Sequence, residues 1–118
     1  MTENEKTEKE EDIEYWKDAG DQFFKKGEYV FALEAYETVA RIDPKNAEAW
    51  KGMATTFSLM HKPYEALQSL DKAIKIDPAD KESLEIKGLI LRKLLEENEE
   101  ELNRLKTEES DKQNKKLV

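Results

Sequence analysis

The sequence predicts an all-α fold, a row of stacked helix–turn–helix units, on three observations. Shifted by 34 residues, the chain matches itself: Glu14 falls on Glu48, Trp16 on Trp50, Lys17 on Lys51, Phe23 on Phe57, Ala32-Leu33 on Ala66-Leu67, and Ile42-Asp43-Pro44 on Ile76-Asp77-Pro78. Within each unit the apolar side chains recur at helical spacing. Pro44 and Pro78 then punctuate the unit boundaries. Nine identities in register over 34 positions include both tryptophans and two of the three prolines, so chance is a poor explanation.

Each element follows from local chemistry. Trp16, Ala19, Gly20, Phe23 and Phe24 keep the i, i+3, i+4, i+7 pattern of one buried face, which predicts a helix over 12–26. Gly27-Glu28-Tyr29 breaks it, because glycine is costly inside a helix and suited to a turn. Ala32, Leu33, Tyr36, Val39 and Ala40 predict a second helix over 29–41. It ends at Asp43-Pro44, since proline disfavours helical geometry in the residue before it. Asn46 is placed to cap a third helix over 46–60. His61-Lys62-Pro63 replaces the glycine turn, and Pro63 suits the first turn of a fourth helix over 63–75. Asp80 is placed to cap the next. There Leu94 to Asn98 are helix formers without Gly or Pro, and Glu100 stands where the alanine of a second helix would recur. One long helix over 81–105, starting as a cap on the second unit, is therefore expected. Gly20, Ala32, Ala54 and Ala66 sit where paired helices cross, and Trp16 and Trp50 are read as core fillers between pairs.

Composition narrows the function. A chain of 118 residues permits one domain, and the absence of cysteine excludes disulfides and thiolate metal sites. A single histidine, His61, excludes a His-pair metal site. No apolar stretch approaches a membrane span, and the acidic start MTENEKTEKEED is the opposite of a targeting peptide, so a cytoplasmic protein is expected. A net charge of −8 argues against nucleic acid as partner. Residues 1–12 read as a disordered acidic tail and 106–118 as a flexible tail, leaving 13–105 as the working domain. No phosphate loop is present, and the acidic runs lack the Asp, Asn and Gly pattern of a calcium loop. No cofactor, no metal and no enzymatic activity are expected.

On these residues the chain resembles the tetratricopeptide repeat (TPR) family. Its 34-residue W-x2-L-G-x2-Y … A-x3-F … P pattern is met at Trp16, Gly20, Phe23, Ala32, Tyr36 and Pro44 in the unit 13–46. The unit 47–80 meets it at Trp50, Phe57, Ala66, Ala73 and Pro78. The resemblance implies a right-handed α-α superhelix whose first helices line a concave groove that binds a peptide or protein. Carried over by position, the groove presents Glu14, Lys17, Asp21 and Phe24, then Glu48, Lys51, Thr55 and Ser58, then Glu85, Leu89 and Arg92. Family members that grip the acidic C-terminal tail of chaperones use a cluster of Lys, Arg and Asn. Here Asp21, Gly52, Glu82 and Ile86 stand at four of the five positions, so a chaperone-tail clamp is not expected.

A second surface is legible in the long helix. Leu84, Gly88, Leu91, Leu95, Asn98, Leu102 and Leu105 alternate spacings of four and three, the seam of a coiled coil. Beyond residue 95 no repeat remains to cover it. Self-association through Leu91, Leu95, Asn98, Leu102 and Leu105, with Asn98 helping to set register, gives a homodimer as the alternative function.

Overall fold

The computed structural model describes residues 7–117, which form five helices: α1 Glu8–Lys25, α2 Tyr29–Ile42, α3 Ala47–Leu59, α4 Pro63–Ile76 and α5 Lys81–Leu117. α1 with α2, and α3 with α4, make two antiparallel hairpins stacked side by side, and α5 closes the stack. The first core joins Ala32, Leu33, Tyr36, Val39 and Ala40 of α2 to Ala49 and Met53 of α3. The second joins Ala54, Ala66 and Leu70 to Ile90 of α5. Phe57 packs against both, so the two hairpins share one continuous interior.

Both hairpins turn in the same way. Gly27 adopts φ +76°, and His61, its counterpart 34 residues on, adopts φ +59°. In each turn the residue after that position donates its backbone N–H five residues back, Glu28 to Phe23 and Lys62 to Phe57, both at 2.9 Å. This left-handed C-terminal cap is the usual way to close a helix with glycine. The second unit achieves it with histidine. Asn46 caps α3 by accepting the Ala49 N–H at 3.1 Å, and Pro63 opens α4.

Three expectations need correction. Half of the acidic tail is helix: Thr7 caps α1, its hydroxyl accepting from the Glu10 N–H while the Glu10 carboxylate accepts from the Thr7 N–H, each at 3.2 Å. Glu8, Glu10 and Glu11 then lie in the first turn, where the helix dipole favours negative charge. Residues 1–6 of that tail lie outside the described residues. At the other end α5 does not stop near 105 but runs to Leu117, taking in most of the expected flexible tail. The acidic run 96–101 thereby falls in mid-helix rather than at a C-terminus. Arg104 ties it down by pairing with Glu101 at 2.5 Å and Glu108 at 2.6 Å, and Lys115 and Lys116 occupy the terminal turn. Finally, only Trp50 fills space between pairs. Its indole N–H donates to the Pro44 carbonyl at 2.9 Å and the Lys72 ammonium lies 4.2 Å from its ring centroid. Trp16 is 37% exposed and meets Tyr15 edge-on, because among the described residues no helix pair precedes α1.

Candidate functional site

One open depression of about 450 Å³ lies where α1, α3 and the start of α5 face the same side. Lys17, Asp21 and Phe24 reach it from successive turns of α1, at spacings of four and three that keep one helix face. Glu48, Lys51, Gly52 and Thr55 do the same on α3. Glu82 enters from the first turn of α5, and the ring edge of Tyr36 arrives from behind, out of α2.

Small residues decide how Tyr36 gets there. A Cβ placed on Gly20 would stand 2.6 Å from its ring, and one on Gly52 would stand 2.9 Å from it. The ring is therefore clasped between the backbones of α1 and α3. Its hydroxyl emerges in the depression and donates to Asp21 Oδ1 at 2.5 Å. Burial, and then the Asp21 carboxylate, hold the phenol proton far above its ordinary range.

The cations of the depression are already engaged. Lys17 forms an ion pair with Glu48, linking α1 to α3. The Lys51 ammonium donates to Asp80 Oδ2 at 2.9 Å and to Glu82 Oε2 at 3.1 Å, linking α3 to the start of α5. Its pKa is raised, chiefly by the hydrogen bond to Asp80. Asp80 is lowered in turn, first by the Ser83 hydroxyl that donates to it at 2.7 Å and then by Lys51. The Glu82 backbone N–H also bonds Asp80, as expected of an N-cap. Two lysines thus face three carboxylates on the lining, with Asp80 a fourth just behind.

Six residues carried over by repeat position meet here: Lys17, Asp21, Phe24, Glu48, Lys51 and Thr55. Ser58 does not. It lines a smaller cavity of about 130 Å³ with His61, Ile90 and Leu94. Glu14, Glu85, Leu89 and Arg92 are outside the depression, and Glu82 is the side chain that α5 contributes to it. Tyr36 was not anticipated on the lining, and Gly52 and Glu82 were read there only as departures from the chaperone-tail cluster. The signal available for Gly52 was its place one helical turn from Glu48 on the same face. On α5, Leu91, Leu95, Leu102 and Leu105 are 47%, 58%, 51% and 48% exposed, and Asn98 is exposed beside them. Among the described residues no group of three or more acidic or histidine side chains is arranged to hold a metal, and no helix is long and apolar enough to cross a membrane.

Comparison with known proteins gives the same helical-repeat fold. A family model described as TPR repeat matches residues 20–58. A DnaJ homolog subfamily C member 7 homolog from Schizosaccharomyces pombe is 31% identical over 80 residues, covering 64% of this chain and 17% of that protein. The chain spans less than a fifth of the length of the curated relatives it matches. Among solved structures, the MamA protein superposes with a TM-score of 0.68 at 28% identity, over 71% of this chain and 46% of that one. The second TPR of Spaghetti (RPAP3), bound to the HSP90 peptide SRMEEVD, does so with 0.69 at 27% identity, over 77% and 86%.

Proposed function

We propose that this chain, whose residues 20–58 match a TPR-repeat model and whose helices superpose on a solved TPR, is a protein-interaction module whose concave depression holds a segment of a partner protein bearing a lysine or arginine. The observation that carries this reading is the engagement of both groove lysines. Lys17 and Lys51 are neutralised by Glu48, Asp80 and Glu82, so what the lining offers a newcomer is carboxylate. A solved neighbour holds a peptide ending in acidic residues. The same tail would meet Asp21 and Glu82 here, and like charges across an interface cost affinity and specificity. Binding rather than catalysis fits the site, since its acids and bases are bonded to one another in pairs that tie the helices together.

A peptide-display library panned against the full chain tests this reading. Lysine and arginine are expected to be enriched, and C-terminal Asp and Glu depleted. Glu48→Lys/Glu82→Lys should erase or reverse the preference while far-UV circular dichroism shows the helices intact. Enrichment of acidic C-termini by the wild-type chain overturns the proposal.

A further inference from the structure

α5 has the register of a first helix in a third unit, but its second helix is missing. In steps of 34, Leu84, Gly88 and Leu91 answer to Trp50, Ala54 and Phe57, and to Trp16, Gly20 and Phe23. In the first two units this stripe receives the second helix of the hairpin. The Tyr36 ring lies against Gly20, and Ala54 is fully buried with Ala66 and Leu70. At Gly88 a Cβ would meet nothing within 4 Å, and Leu84 and Leu91 are 49% and 47% exposed. The seat for a helix is present and open.

The chain's own continuation does not fill it. Where the second helix would present Ala32, Tyr36 and Val39, the third unit has Glu100, Arg104 and Thr107. Those residues lie on a helix that runs straight on to Leu117. The apolar stripe goes with it, as Leu95, Leu102 and Leu105 interrupted by Asn98, at coiled-coil spacing.

We propose that α5 of a second copy of this chain occupies the seat, antiparallel, with the two-fold axis between residues 96 and 97. Its second half thereby supplies the missing helix of the third unit, in the direction that α2 takes on α1. In this register Gly88 faces the partner's Leu105, Leu91 faces the partner's Leu102, and Leu95 faces the partner's Asn98. Flanking charges decide between this pairing and its rivals. Glu85 meets the partner's Lys106, Arg92 meets the partner's Glu99, and Lys87 meets the partner's Glu108, each pair occurring twice by symmetry. Lys87 and Glu108 keep their exposed intrachain contacts to Asp71 and Arg104, so the third pair extends an existing network. A parallel, in-register pair instead opposes Lys87 to the partner's Arg92 and stacks two Gly88 residues, with Glu101 to the partner's Lys106 as its attractive contact. The antiparallel arrangement also leaves the two repeat bodies at opposite ends. Each body covers its own α5 along Ser83, Ile86, Ile90 and Leu94, a stripe beside the seam rather than on it.

Because the chain has no cysteine, disulfide mapping reads the register directly. Leu91→Cys/Leu102→Cys is expected to give a covalent dimer under mild oxidation, whereas Leu91→Cys and Leu102→Cys singly give none. In sedimentation equilibrium the wild type is expected to dimerise. Glu85→Lys should weaken the dimer by roughly tenfold, and adding Lys106→Glu should restore it. All four positions are exposed, so unchanged helicity by circular dichroism separates lost association from lost folding. A wild type that stays monomeric up to hundreds of micromolar overturns the proposal. Crosslinking by either single variant, or absence of rescue in the double charge swap, overturns the antiparallel register.

Discussion

Tyr36 owes its place to two residues without side chains. Its ring fits between Gly20 and Gly52 so closely that a methyl at either would stand 2.6 or 2.9 Å away. Gly20→Ala and Gly52→Ala are each expected to destabilise the domain by about 1–3 kcal/mol, the usual cost of overfilling a packed interior, measured by urea denaturation. His61 is the opposite case. It holds φ +59° in the turn where the first unit uses Gly27, so His61→Gly should stabilise the same transition by up to about 1 kcal/mol. Tyr36 also makes a pH prediction with a definite sign. Its folded-state pKa is raised by burial and by Asp21, so the native chain keeps a proton that the unfolded chain gives up. That contribution is fully present below the ordinary tyrosine value of 10.0 and is lost as pH rises above it. Tyr36→Phe should flatten the alkaline loss of stability and remove one late step from the tyrosinate absorbance titration. Gly20 at a helix crossing and His61 in place of the glycine turn were legible in the sequence, but the tyrosine clasped between two helices was not. Gly52 counted there only as an absent asparagine, and its meaning depends on a ring sixteen residues earlier on a different helix.

Among the elements, those with periodic apolar faces were readable, and ends governed by charge were not. The hairpins follow from spacing, glycine and proline alone. α1 starts earlier than its apolar stripe because Thr7 and Glu10 bond each other's backbone N–H groups. α5 outruns its leucines because Arg104 bridges Glu101 and Glu108 on adjacent turns. The groove shows the same division. Lys17 and Lys51 could be placed on one face by their spacing, but that Lys17 is held by Glu48 of α3, and Lys51 by Asp80 and Glu82 at the start of α5, is a tertiary fact. The two lysines should accordingly behave differently. Lys51→Glu sets a carboxylate against Asp80 and Glu82 and should loosen the start of α5. Hydrogen exchange is expected to accelerate over residues 81–90, whereas Lys17→Glu leaves that segment protected. Acid should act in the same direction. Asp80 is held below its ordinary 3.8 by Ser83 and then Lys51, so its stabilising effect is present above that value and fades as pH falls further. Protection factors over the same segment, referred to the intrinsic exchange rate at each pH, should therefore fall first as the solution is acidified.

The molecule as a whole is 86 Å long, with a radius of gyration of 20.6 Å over its Cα atoms. A compact globule of this length would have about 13–14 Å. The excess comes from α5, whose last twenty or so residues project past the repeats with half-exposed leucines along one side. A projecting helix of that kind has little to hold it in isolation, because most helical stability in proteins comes from packing an apolar face. If the seam is covered by a second chain, the stability of α5 depends on protein concentration, since binding the folded form alone shifts unfolding by mass action. Two consequences can be measured on the intact chain. The melting temperature followed at the helical signal should rise with concentration for the wild type and become independent of it in Leu95→Ala/Leu102→Ala. In solution scattering, the particle should pass on dilution from a longer body with mass at both ends to one with the dimensions of the single chain. A melting temperature that ignores concentration, together with scattering that fits one chain throughout, would leave the leucine seam bare. The repeats alone would then account for the fold.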